Sequence, residues 1–239
     1  MKFSHKLAKL ADSGSLLRSL RRTLSRRLHP LPVARFLKEI NPVELQRIRD
    51  AYGVKHKTSK WPKYADAETY LKANIARVQD IGIDHTPRPL HILDIGSGAG
   101  YFLFVCKVLG HSGFGLDLPE PKFYEEMFHL FGLKRAMHRV EKFQPLPETG
   151  RKYDLVTAFQ IVFNEHSGPQ PWGVAEWDYF LNDAESHLLP GGRVYLSLNR
   201  QPNGIYYTEA VRKCFLNRGG VIDHRFKILS AYALDSPSR

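Results

Sequence analysis

Residues 91–102, His-Ile-Leu-Asp-Ile-Gly-Ser-Gly-Ala-Gly-Tyr-Phe, constrain this chain more than any other stretch. Ile92, Leu93 and Ile95 form a short apolar run, as a parallel strand does when both its faces are covered. Gly96, Gly98 and Gly100 follow at every second position. They permit a tight turn and let a ligand approach the backbone with no Cβ in the way. The apolar segment Tyr101 to Leu109 then reads as a buried helix. Its first turn offers free N–H groups and the positive end of the helix dipole, a setting suited to a carboxylate or phosphate.

The same alternation of strand and helix runs through the rest of the chain. Strands are expected over about 90–95, Gly113 to Leu118, 135–140, Tyr153 to Phe159 and Arg193 to Asn199. Helices are expected near 100–109, 120–131, 174–188 and 206–217. Such alternation implies right-handed crossovers and a parallel sheet with helices on both faces. Ahead of the sheet, Asn41-Pro42 reads as an N-cap with proline at the first helical position. Asp66 reads as the cap of a second helix that buries Leu71, Ile75 and Val78 and stops near Gly82.

The glycine spacing separates two ligand classes. A dinucleotide loop follows G-x-G-x-x-G, and Tyr101 stands where its last glycine would be. Here the glycines alternate, and Asp94 lies two residues before the first. In this the chain resembles the class I S-adenosylmethionine (SAM) dependent methyltransferases, whose first motif is Asp-x-Gly-x-Gly-x-Gly. Two further features resemble that family: Asp117 at the end of the second strand, and Leu188-Leu189-Pro190-Gly191-Gly192 ahead of the fifth. The matching segments span roughly residues 89–199. The resemblance implies a doubly wound, mostly parallel, seven-stranded Rossmann-like sheet with an N-terminal helical extension. The expected organisation is a basic arm over 1–40, a helical lid or cap over 41–84 and a SAM-binding domain over 85–239.

The resemblance also implies roles for residues. Asp94, Gly96, Ser97, Gly98 and Gly100 would receive the amino-acid end of SAM. Asp117 would accept bonds from the ribose hydroxyls, as an ionised acid can, although nucleotide enzymes use the same device. Leu118, with Val140 and Glu141 after the third strand, would border the adenine; Glu141 is equally readable as a solvated charge. Phe159 and Gln160 would face the methionine portion. An oxygen or nitrogen acceptor calls for a base near neutral pH. His166 is the candidate and Asn164 a candidate orienter, while His166 is also readable as an exposed loop residue. Asn199 and Arg200 are further cleft candidates, and Lys60 to Tyr64 a candidate lid. No Asn-Pro-Pro-Tyr segment or Pro-Cys nucleophile is present, and no metal site is expected.

Charge is concentrated at one end. The chain carries +11, and residues 1–40 hold ten Lys/Arg against Asp12 and Glu39, a net of +8, leaving +3 for the other 199 residues. Leu7, Leu10, Leu17, Leu20, Leu24 and Leu28 share the arm with these cations at helical spacing. Residues 1–28 therefore read as an amphipathic basic helix. It suits an anionic membrane surface, an acidic partner or RNA, a presequence, or packing on its own domain. Cys106 and Cys214 have no CxxC partner and read as reduced thiols of a cytoplasmic protein, peripheral at a membrane surface if the arm binds there. The expected function is transfer of a methyl group from SAM to an oxygen or nitrogen of a small-molecule or glycan-type acceptor. The alternatives are an RNA methyltransferase, a non-catalytic SAM-binding or membrane-associated protein, and a nicotinamide dehydrogenase.

Overall fold

The computed structural model describes residues 28–53, 62–119, 122–223 and 227–230. The basic arm up to residue 27, with its expected membrane or RNA contact, falls outside the described residues, as do Lys60 and Trp61 of the expected lid. Among the described residues no helix is long and apolar enough to cross a membrane.

Among the described residues, the α-helices α1 (Val33–Leu37), α2 (Pro42–Gly53) and α3 (Ala67–Ile81) precede the sheet. The Asn41 side chain accepts from the Val43 and Glu44 N–H groups at 3.0 and 3.2 Å, so it caps α2 as expected. Asp66 caps α3 by accepting from the Thr69 N–H at 3.2 Å. Gly82 ends that helix in the left-handed region, at φ 75°. Leu71, Ile75 and Val78 are all buried on one face of α3.

The core alternates β1 (His91–Ile95), α4 (Tyr101–Val108), β2 (Ser112–Asp117), α5 (Lys122–Phe131), β3 (Lys134–Met137), β4 (Tyr153–Ile161), α6 (Val174–Ser186), β5 (Leu188–Leu198) and α7 (Glu209–Asn217). The short strands β6 (Gly220–Asp223) and β7 (Lys227–Ser230) follow. The sheet runs in the order β3-β2-β1-β4-β5-β7-β6. The first five strands are parallel; β7 lies antiparallel to both β5 and β6. Side chains alternate between the faces. Ile92, Leu155 and Tyr195 join one core with α1 to α5. Leu93, Val156, Val194 and Leu196 join a second core with α6 and α7.

Two strands differ from expectation. β5 begins five residues earlier, because Leu188 already pairs with Tyr153 and Arg193 with Leu155. The Pro-Gly-Gly segment is thus an excursion inside the strand, not a turn before it. Gly192 is required there: a Cβ would stand 2.9 Å from the Leu189 carbonyl oxygen and 3.0 Å from that of Tyr153. β3 ends at Met137, and the His138 N–H makes a last bond to the Asp117 carbonyl at 2.8 Å.

Helices α2 and α3 are fastened to the α/β body. The Tyr52 hydroxyl on α2 donates to Glu126 of α5 at 2.6 Å, and Arg47 pairs with the same carboxylate. The Tyr101 hydroxyl of α4 donates at 2.7 Å to the Tyr64 carbonyl, in a 3-10 turn over Pro62–Ala65.

The glycine loop offers a graded test of the fold. Gly100 has φ 78°, and a Cβ there would stand 2.8 Å from the Phe128 ring. Gly100→Ala should lower the free energy of unfolding in urea by about 2–5 kcal/mol, combining left-handed strain with overpacking. Gly96 has φ 71° and nothing within 4 Å of its Cβ position, so Gly96→Ala should cost only about 1–2 kcal/mol.

Candidate active site

A doubly wound sheet leaves a crevice at the carboxyl ends of its strands where the strand order reverses. Here that point is β1, with β2 on one side and β4 on the other. The loop after β1 is tied to the end of β2: the Gly96 and Ser97 N–H groups donate to the Leu116 carbonyl at 2.7 and 3.1 Å. The Gly98 N–H donates to Asp117 Oδ2 at 2.5 Å, and the Leu118 N–H to Asp117 Oδ1 at 2.7 Å. Gly115 makes room for this, since a Cβ on it would meet Ser97 Oγ at 2.6 Å.

A cleft of two lobes lies over this edge. One lobe, a cavity of about 590 Å³, is lined by Asp94, Gly96, Ser97, Gly98, Phe159 and Gln160 from the strand ends. Tyr64, Tyr70, Asn74, Arg77, Tyr101 and Tyr124 line it from the helices. The other, of about 540 Å³, is lined by Leu116, Leu118, His138, Val140 and Glu141. The lobes share Ile95, Gly96, Asp117, Leu118, Val162 and Phe163. Asp117 thus stands at the junction. Val140 and Glu141 reach the cleft because β3 stops before them.

The first lobe is both aromatic and charged. The Tyr70 ring stacks on Tyr101 with centroids 5.5 Å apart, and Tyr64 lies 4.7 Å from Tyr70 and 5.9 Å from Tyr124. Burial pushes the hydroxyls of Tyr70, Tyr101 and Tyr124 upward, so these three are neutral phenols near neutral pH. Asp94 is buried and accepts from the Thr157 hydroxyl at 2.7 Å. Burial lifts its carboxyl from 3.8 to about 7, against the pull of Thr157 and the Arg77 charge. Burial likewise raises Asp117, opposed by its two backbone N–H bonds. Arg77 of α3 lies over the Phe159 ring at 4.6 Å and donates to Asn74 Oδ1 at 2.9 Å and Gln160 Oε1 at 3.0 Å.

Several expected site residues stand elsewhere. Gly100 lines neither lobe and packs under Phe128 and Leu133. His166 and Asn164 also line neither. The chain turns at Glu165, at φ 53°, and the Trp172 N–H closes the loop onto the Asn164 carbonyl at 3.0 Å. That closure buries Asn164, whose Oδ1 has no partner, and it buries His166 enough to push its pKa down. Asn199 is a brace: its amide donates to the Gln160 and Ile161 carbonyls at 2.8 and 3.0 Å. Arg200 is exposed and donates to the Tyr206 hydroxyl at 2.9 Å. α3 lies within the expected lid or cap over 41–84, but the residues it brings to the cleft were not among the expected site residues. They are Tyr70, Asn74 and Arg77, and their signal is a spacing of four and three, a polar and aromatic stripe on a helix already assigned an apolar face.

No known family's sequence profile matches the chain, and no curated protein sequence does. Solved structures do match. DesVI from Streptomyces venezuelae is 14% identical over 76% of this chain and 100% of that one, with a TM-score of 0.53. CalS10, an amino pentose methyltransferase from Micromonospora echinaspora, is 22% identical over 63% of this chain, with a TM-score of 0.44. The glycopeptide N-methyltransferase MtfA is 16% identical over 55% of this chain, with a TM-score of 0.37. The chain covers 62% of the length of CalS10 and 60% of that of MtfA. The match to DesVI shows a shared fold. The glycine loop, the acid at the end of β2 and the end of β4 meet at one edge of the sheet.

Asp94 makes stability depend on pH. Because folding raises its pKa, its contribution is complete below about pH 4 and is lost as pH climbs through about 7. The loss amounts to roughly 4 kcal/mol at most. Asp94→Asn keeps an acceptor for Thr157 without the charge. Thermal melts from about pH 5 to about pH 8 should show wild type losing stability relative to the variant; parallel profiles would rule out a buried charge at Asp94.

Proposed function

We propose that the chain is a class I SAM-dependent methyltransferase acting on an oxygen or nitrogen of a small-molecule or glycan-type acceptor. The observation that carries this reading is Asp117, a carboxylate at the junction of the two lobes, beside a loop whose glycines leave the cavity unobstructed. Each carboxylate oxygen has two lone pairs. One on each is used by a backbone N–H, which leaves two to accept from vicinal ribose hydroxyls. Leu118, Val140 and Glu141 then border the adenine. Asp94, Ser97, Gly98, Phe159 and Gln160 border the methionine end.

When bound, SAM supplies an electrophilic methyl group: the acceptor's lone pair forms the new bond to carbon, and the C–S bonding pair returns to sulfur as the thioether. This chain aligns and desolvates the partners, which supplies much of the catalysis. The aromatic rings of Tyr64, Tyr70 and Phe159 in the lobe suit the apolar face of a ring or sugar acceptor. Tyr70, Tyr101 and Tyr124 remain protonated near neutral pH and so do not serve as bases.

Incubating the protein with methyl-labelled SAM and a cell extract, then separating lipid, glycan, RNA and protein, should place label in the small-molecule or glycan fraction. Label confined to RNA would favour the basic arm as a nucleic-acid contact. In calorimetry, Asp117→Ala should weaken binding of the demethylated product, S-adenosylhomocysteine, at least about tenfold, roughly 1.4 kcal/mol. Unchanged affinity would remove Asp117 from the site.

A further inference from the structure

The sharpest irregularity in the sheet lies at the end of β4. The register with β5 shifts between Phe159 and Ile161, and the residue between them, Gln160, has φ 51°. A left-handed conformation costs a non-glycine residue about 1–2 kcal/mol and persists only where its surroundings impose it. Asn199, at the end of β5, imposes it by donating one amide nitrogen to two successive carbonyls, those of Gln160 and Ile161. Glycine would relieve the strain, so the glutamine side chain needs a reason to be there. Its Oε1 accepts from Arg77 Nη2 at 3.0 Å.

Arg77 is a half-buried cation whose direct hydrogen-bond partners are neutral groups. Two of its five N–H donors reach the amide oxygens of Asn74 and Gln160, and its plane lies over Phe159. Among the described residues no carboxylate lies within ion-pair distance of it. Asp94 is in the same lobe but is bonded to Thr157. A partly desolvated charge without an ion-pair partner gains from an arriving anion, and a planar guanidinium held at two corners is prepared for a carboxylate. With Asp94 opposite, the lobe offers one cation and one carboxyl group, the complement of an α-amino acid.

We propose that Asn199 and Gln160 are positioning residues that fix Arg77 as the receptor for the α-carboxylate of the donor's amino-acid end. This rests on the SAM reading of the cleft. Asn199 holds the bulge, the bulge turns Gln160 toward α3, and Gln160 with Asn74 sets the plane of the guanidinium.

The test compares two ligands in calorimetry. S-adenosylhomocysteine carries the amino-acid end; 5′-methylthioadenosine has the same nucleoside and thioether without it. Wild type should prefer the first. Asn199→Ala, Gln160→Gly and Arg77→Met should each lower affinity for S-adenosylhomocysteine by about tenfold while leaving 5′-methylthioadenosine within about twofold. Gln160→Gly should in addition keep or raise thermal stability, because it removes the left-handed strain. If Asn199→Ala and Gln160→Gly weaken both ligands equally, or neither, the positioning role is overturned. If wild type binds neither ligand, the SAM reading itself falls.

Discussion

Leu116 and Asp117, the last two residues of β2, hold open the loop that follows β1. The Leu116 carbonyl takes the Gly96 and Ser97 N–H groups, and the Asp117 carboxylate takes that of Gly98. Buried backbone donors must find acceptors somewhere, and here they find them one strand over. The three left-handed glycines therefore do not collapse onto the sheet edge. The lobes on either side exist because that loop is anchored laterally, and every candidate ligand contact is arranged around the anchor.

The parts of the fold legible in the sequence are those set by local chemistry. Ile92, Leu93 and Ile95 marked a covered strand, Asn41 and Asp66 marked helix starts, and Gly82 marked a stop, because each effect acts within a few residues. Asp94, Gly96, Ser97, Gly98 and Asp117 could be placed at the cleft because strand ends and loops follow from the same pattern. Harder were features decided by partners far along the chain. Pro190-Gly191-Gly192 has the composition of a turn, but Leu188 pairs with Tyr153 and so draws the segment into β5. His166 has the chemistry of a base, but the bond between Trp172 and Asn164 folds its loop away from the cavity. Gly100 belongs to the loop by spacing, yet it serves the packing of Phe128.

The charges of the cleft show a second constraint. Asp94 is buried and Arg77 half-buried, and each has a neutral hydrogen-bonding partner as its direct contact. Their mutual attraction offsets only part of the desolvation cost, since burial still pulls the Arg77 pKa down and the Asp94 pKa up. Such groups weaken a folded chain when considered alone. They become favourable when a complementary ligand satisfies both, which concentrates binding energy on a zwitterion and withholds it from apolar competitors.

The helices ahead of the sheet add a further consequence. Tyr64, Tyr70, Asn74 and Arg77 wall one side of the larger lobe, while Asp94, Gly96 and Asp117 form the other. The two walls come from segments that touch only after α3 has docked, through contacts such as the Tyr101 hydroxyl on the Tyr64 carbonyl. A molecule gripped by both walls is a non-covalent staple between them. By mass action, its concentration sets how firmly the leading helices stay seated, so protection of α3 amides from solvent exchange becomes a gauge of occupancy.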